Sequence, residues 1–310
     1  MSSLVLSIDG HGGDAGLSVV IPAVAGKALE HPNITFDVSV ISGSLLPNVP
    51  RNVSFTLAES VIEADMSASE VLRHQQHSTM GKVLQSVANG RSAGCLTAGS
   101  TVALVALSRH YIDRLDRVKK VALIKPMPSG SYLLDLGANV NCTASDLVSF
   151  ARMGEAYYAT NELDSPAISL LNVGREPLKG GRLIQEAHAL FRASNMNYAG
   201  FVEADEIFNI SQQVIVCDGF TGNIALKSGE GLARYLLKSL SSTLPNSSEL
   251  KSVLSLVSHS QYNGACLLGV DGLIMKSHGG ANVQGFSAAL DRLVEQACQN
   301  THNRFKALLS

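Results

Sequence analysis

The stretch LVLSIDGHGGD, residues 4–14, decides the fold: an apolar run ends in Asp9-Gly10-His11-Gly12-Gly13-Asp14, and helix-length sequence follows from Leu17 to Glu30. A run of β-formers that stops at a glycine turn and hands over to a longer periodic segment reads as one strand–turn–helix unit. The same grammar recurs along all 310 residues. Strands are predicted at Leu4–Ile8, Ile34–Ile41, Val53–Leu57, Cys95–Ala98, Val121–Ile124, Tyr132–Leu136, Ile168–Val173, Tyr198–Val202, Val214–Cys217 and Leu273–Lys276. Helices are predicted at Leu17–Glu30, Ser69–Asn89, Thr101–Ile112, Ala144–Asn161, Arg182–Ala193, Gly222–Leu240 and Val283–Leu308. Such alternation specifies an α/β fold, a mainly parallel sheet covered on both faces. Pro126-Met127-Pro128-Ser129-Gly130 and Thr243–Ser248 read as loops; neither separates two differently composed halves, so one large α/β/α domain over 1–310 is expected.

Six predicted strands run into glycine-bearing turns. They are Asp9–Asp14, Thr97-Ala98-Gly99-Ser100-Thr101, Asp135-Leu136-Gly137-Ala138-Asn139, Asn172-Val173-Gly174, Asp218-Gly219-Phe220-Thr221-Gly222-Asn223 and Ser277-His278-Gly279-Gly280-Ala281-Asn282. In a parallel sheet all six gather at the carboxyl edge, where open α/β sheets bind ligands. Glycine lets backbone N–H groups approach an anion, and the helix N-termini that follow favour negative charge. Gly12, Gly13, Asp14, Gly99, Ser100, Thr101, Gly137, Asn139, Gly174, Gly219, Thr221 and Gly222 are therefore the candidate phosphate or substrate binders.

Composition narrows the classes. Hydrophobic residues make up 45% and charged residues 16%, which excludes a disordered polyelectrolyte. Aromatics are 5% with no Trp, and 24 Lys plus Arg face 26 Asp plus Glu, so no nucleic acid partner is expected. Cys95, Cys142, Cys217, Cys266 and Cys298 are dispersed, with no C-x-x-C pair, as reduced cytoplasmic thiols are. No apolar stretch reaches the ~20 residues of a membrane span. G-x-G-x-x-G, G-x-x-x-x-G-K-[ST] and H-E-x-x-H are all missing from the chain, so neither a cofactor nor a metal is expected. Chemistry on an anionic substrate without an obvious nucleophile remains; Cys217, at a strand end before Asp218, is expected to be buried.

CDGFTGNIALK (217–227), with LDLGANVNC (134–142), LLNVG (170–174) and Lys179-Gly180, resembles the bacterial fatty acyl-[acyl-carrier-protein]:phosphate acyltransferase family. The likeness continues in register through Gly12-Gly13-Asp14, Glu59-Ser60-Val61-Ile62, Met153-Gly154, Val202-Glu203, Tyr262-Asn263-Gly264-Ala265 and Lys276-Ser277-His278-Gly279. It implies a three-layer α/β/α fold like phosphotransacetylases and isocitrate/isopropylmalate dehydrogenases, usually dimeric. It also implies a direct reaction, in which inorganic phosphate attacks the thioester of acyl-carrier protein and acyl phosphate leaves for phospholipid synthesis. Such a reaction needs a phosphate cradle, an oxyanion donor and help for the thiolate.

Lys179, in the Lys-Gly step, is the candidate for charge stabilisation by the resemblance; on its own it reads first as an ordinary solvated lysine. Asn223 either donates its amide to the oxyanion or phosphate, or caps the helix it precedes. His278 is a phosphate ligand, a proton donor or a structural loop residue. Asp9, Asp14, Asp135 and Asp218 sit at strand ends; carboxylates repel phosphate, so they are expected to orient loop N–H groups.

Partner contacts need local charge. Arg109, Arg114, Arg117, Lys119, Lys120 and Lys125 gather six cations that could steer an acidic carrier protein. Leu232–Leu244 with Leu250–Val257 is expected to serve as packing or homodimer contact, or as a peripheral membrane contact. The chain departs from the family pattern at Gly10-His11, Ser100-Thr101-Val102, Arg73-His74-Gln75-Gln76-His77, Gly174-Arg175-Glu176 and Gly181. A phosphotransacetylase-like enzyme acting on a short acyl-CoA, and a non-catalytic carrier-binding paralog, are the alternatives.

Overall fold

The computed structural model describes residues 4–44, 46–74, 76–161, 165–243 and 262–310. Among these residues eleven strands form one sheet: β1 (Leu4–Asp9), β2 (Ile34–Ile41), β3 (Val53–Ala58), β4 (Gly94–Thr97), β5 (Ala122–Pro126), β6 (Tyr132–Leu134), β7 (Ala167–Leu171), β8 (Tyr198–Val202), β9 (Gln213–Val216), β10 (Ala265–Leu268) and β11 (Leu273–Lys276). The helices are α1 (Leu17–Glu30), α2 (Ala68–His74), α3 (Thr79–Ala88), α4 (Thr101–Tyr111), α5 (Ala144–Asn161), α6 (Arg182–Arg192), α7 (Gly219–Thr243), α8 (Val283–Cys298) and α9 (Thr301–Leu309). Thr243–Ser248 lies almost wholly, and Leu250–Val257 wholly, outside the described residues.

Side chains alternate across the sheet and seed two cores. Leu96, Ile124, Leu134, Val214, Val216 and Met275 enter one, which α1, α5, α6, α8 and α9 cover. Cys95, Leu123, Leu133, Ile215 and Ile274 enter the other, covered by α2, α3, α4 and the first half of α7. Strands buried on both faces read as nearly continuous apolar runs, as these do. The result is three layers, α/β/α, as expected.

The strand order is β3-β2-β1-β4-β11-β10-β5-β6-β9-β7-β8. Seven of its ten pairings are parallel; β10 is antiparallel to β11 and β5, and β5 to β6. Two parallel blocks, β3-β2-β1-β4-β11 and β6-β9-β7-β8, therefore run in opposite directions. This corrects the expectation that all six glycine turns share one edge. The turns after β1, β4 and β11 lie at one edge, and those after β6, β9 and β7 at the other. The reversal starts in the loop 127–131, where the N–H of Met127 donates to the carbonyl of Ser131 (2.8 Å) and turns β5 back into β6. Helix α7 bridges the two ends because it starts beside the Asp135 turn and passes the turn after β11.

Two predicted helices each divide. Ser69–Asn89 becomes α2 and α3, because Ser78 caps α3 through the N–H of Gly81 (3.1 Å). Val283–Leu308 becomes α8 and α9 at Asn300, whose φ of 53° is left-handed.

Candidate active site

The turns after β1, β4 and β11 interlock. Asp9 accepts from the Thr97 hydroxyl (2.6 Å) and the His11 N–H (3.2 Å), and Thr97 Oγ1 accepts from the Gly99 N–H (3.0 Å). Asp14 N–H donates to the Gly279 carbonyl at 2.9 Å. Gly13 has φ +82°, and a Cβ there would stand 2.7 Å from that same carbonyl, so only glycine closes this contact. Ser100 caps α4 through the Ala103 N–H.

Across the cleft, Asp135 collects the N–H groups of Leu123 (3.0 Å), Ala138 (3.1 Å) and Asn139 (2.7 Å) and the Asn139 amide (2.9 Å). Burial raises the Asp135 pKa against these four donors. Gly219 N–H donates to the Asn139 carbonyl (2.8 Å), seating the start of α7 on this turn. Asp218 caps α7, accepting from the Thr221 N–H (2.9 Å) and hydroxyl (2.8 Å). The capping task is thus taken. Asn223, a full turn inside the helix, has no hydrogen-bond partner among the described residues and lines the cleft.

The cleft has a volume of about 340 Å³ and brings together Asp14, Thr101, Asn223 and His278 of the expected set. It also draws in residues not expected there: Lys125 from β5, Lys227 and Glu230 from α7, Asn263 before β10, and Lys276 from β11. Gly12, Gly13, Gly99 and Ser100 build the turns around it, and Gly137, Asn139, Gly219, Thr221 and Gly222 build its opposite support. Gly174 and Lys179 stand elsewhere, on the loop after β7. There the Lys179 ammonium is 3.9 Å from Glu176, and the Lys179 carbonyl accepts from Asn172 Nδ2 (3.2 Å).

Two charges, Lys125 and Glu230, are buried together in the cleft wall, and the half-exposed His278 faces them. Lys125, only 8% exposed, pairs with Glu230 at 3.2 Å, and His278 Nε2 faces the other Glu230 oxygen at 3.7 Å. Burial lowers the Lys125 pKa against the pull of Glu230. Burial also lowers His278, with Glu230 opposing, so the imidazole is mainly neutral near pH 7. His278 Nδ1 accepts the Gly280 N–H (3.0 Å), which leaves the proton of the neutral ring on Nε2, toward the cleft. Asn263 fixes this loop, donating to Ser277 Oγ (2.7 Å) and accepting from the His278 N–H (3.0 Å). Burial brings the Lys276 ammonium down to about 8; Asp9 and Asp14 pull upward, and Lys227 pushes further down.

A surface patch of six cations does not form. Lys125 is inside the cleft because its strand turns it there, and Lys120 pairs with Asp146 at 2.9 Å. Arg109, Arg114, Arg117 and Lys119 remain exposed. Cys217 is 1% exposed with its thiol pKa driven up by burial, which disqualifies it as a nucleophile. Among the described residues no helix is long and apolar enough to cross a membrane.

Residues 4–304 match the model of the family described as "Fatty acid synthesis protein". The chain is 36% identical to a phosphate acyltransferase of Moritella marina, covering all of this chain and 99% of that one. It is 38% identical to a phosphate acyltransferase of Paraburkholderia xenovorans strain LB400, over 93% of this chain and 84% of the relative. In fold it is similar to a branched-chain phosphotransacylase from Enterococcus faecalis V583 (TM-score 0.61, 15% identity, 95% and 99% coverage). It is also similar to a phosphotransacetylase from Streptococcus pyogenes (TM-score 0.59, 13% identity, 96% and 95% coverage).

Proposed function

The chain belongs to the fatty acid synthesis protein family, as an acyltransferase of phospholipid synthesis, and from that premise we propose that it moves a long-chain acyl group from acyl-carrier protein to inorganic phosphate. The observation that carries this reading is the amide of Asn223, without a partner among the described residues, in a cleft also lined by Lys125, Lys227 and Lys276. A phosphate oxygen adds to the thioester carbonyl carbon, and the carbonyl oxygen takes up the charge. Collapse breaks the C–S bond and releases the carrier as thiolate. Lys227 and Lys276 hold the phosphate, Asn223 donates to the oxyanion, and the Nε2–H of His278 donates a hydrogen bond to the departing thiolate. Fixed donors in a dried cleft stabilise such charge without reorganisation.

In this reading the exposed Arg109, Arg114, Arg117 and Lys119 steer the acidic carrier. Lys179 acts across a homodimer. Its loop exposes Val173 (79%) and Leu178 (93%), apolar side chains that a second copy would cover.

The test uses palmitoyl-carrier protein, inorganic phosphate and hydroxylamine capture of the acyl phosphate. Phosphate-dependent release of the carrier thiol is expected, and it is lost in Lys179→Ala. A folded protein that binds carrier but releases no thiol overturns the assignment of this donor. A second expectation concerns pH. Lys276 is charged below about 8 and neutral above it, so the KM for phosphate rises as pH passes upward through about 8. Losing one charge-assisted hydrogen bond weakens binding about tenfold or more. Lys276→Arg, charged throughout, gives a flat KM profile over this range; the same inflection in that variant would remove Lys276 from the cradle.

A further inference from the structure

Lys125 lies at the meeting point of three cavities: the polar cleft, a second cavity that shares Glu230, Asn263 and His278 with it, and a third of about 270 Å³. The third differs in kind. Lys125 is its only charged residue among those described, and the rest of its wall is apolar apart from Tyr262. Along α7 it is floored by Leu226, Gly229, Ala233 and Leu236, the spacing of one helix face, and Met127 and Phe208 stand opposite. Leu226, like Lys125, lines both this cavity and the polar cleft, so the two adjoin. From Leu226 to Leu236 the helix rises about 15 Å.

We propose that this cavity holds the hydrocarbon tail of the acyl thioester, with the carbonyl at Lys125 and the chain running along α7 toward Leu236. The inference rests on the acyl-transfer reading and adds to it the place where chain length is measured. A polar headgroup would leave its donors and acceptors unmet here, whereas a tail needs only apolar surface. The opening beside the charged cleft puts the one polar end of such a substrate where Lys125, Lys227 and Lys276 are. Gly229 shapes the wall: a Cβ there would stand 2.3 Å from the Phe208 ring, so the bare backbone lets that ring close the channel.

Carrier thioesters of graded chain length test the idea. For the wild type, kcat/KM is expected to rise about fourfold per methylene until the channel is filled, the value of one buried CH₂. Ala233→Phe plugs the floor and is expected to move the optimum to shorter chains while leaving the KM for phosphate unchanged. Leu236→Ala, at the exposed far end, moves it to longer chains. Binding of alkyl phosphates of graded length, which are inert product mimics, reads the same channel without turnover. If no thioester is turned over but alkyl phosphate affinity rises with length and Ala233→Phe cuts it, the channel stands and the donor assignment falls. If turnover is normal and neither readout depends on chain length or on Ala233→Phe, the channel is overturned. Loss of dimer or of vesicle binding in Ala233→Phe with an unchanged length profile overturns it too, in favour of a docking surface.

Discussion

Asn223→Ala is expected to lower kcat by about 10²–10³ with little change in KM for phosphate and none in melting temperature. The separation follows from the local structure. Asp218 already caps α7, and the Asn223 amide bonds to no described residue, so its removal orphans nothing in the fold. Alanine is also the better helix former, which offsets any packing lost against Gly137. In the proposed reaction what disappears is a donor to charge that exists only in the transition state, and such a loss falls on kcat. Asn223→Asp should be at least as damaging, because an ionised carboxylate only accepts and also repels phosphate. A kcat for Asn223→Ala within a few-fold of wild type would take the oxyanion role away from this residue.

Gly222→Ala, one residue earlier, should act through the fold. A Cβ at Gly222 would stand 2.1 Å from the Asp135 carbonyl oxygen and 2.8 Å from Cys217 Sγ. The first obstacle is backbone, locked by Cys217 N–H donating to the Leu134 carbonyl (2.8 Å) and Asp135 N–H to the Cys217 carbonyl (3.1 Å). It cannot swing aside as a side chain would, so α7 must lift from the turn. Overpacking of this kind costs about 3 kcal/mol or more. The urea midpoint falls accordingly, and activity falls with it because Asn223 rides on the displaced turn. An unchanged midpoint would mean that the Asp135 turn yields without cost.

How much of this was legible in the sequence depends on what each residue had to signal. Strands such as Leu4–Asp9, apolar but for Ser7 and its final Asp9, and Ile34–Ile41, where Ile34, Phe36, Val38 and Val40 alternate with polar residues, announce themselves by their β-type patterns. Ala265–Leu268 escaped because its four residues lie between Gly264 and Gly269 with no helix following, the context of a loop. The opposed directions of the two parallel blocks were hidden in the turn 127–130: a hairpin and a crossover loop share the same Pro, Ser and Gly residues, and only pairing tells them apart. Asn223 and His278 could be found because glycine turns flag them. Lys125, Lys227 and Lys276 could not, since a lysine near a strand end or on a helix looks solvated until the topology closes a cleft over it. Lys179 shows the converse: its Lys-Gly step is legible, yet the fold leaves it outside the cleft.

The distribution of the five cysteines also turns the chain into its own folding probe. Cys95, Cys217 and Cys266 are buried with thiol pKa values raised by burial, Cys142 is half-covered, and only Cys298 is exposed. A chromogenic disulfide reagent at neutral pH should therefore titrate one sulfhydryl promptly and a second slowly, leaving three silent until the sheet opens. Carrier thiol released during turnover can then be counted over a nearly constant protein blank. In a weakened variant such as Gly222→Ala, the rate at which the last three equivalents appear reports global opening in the same cuvette.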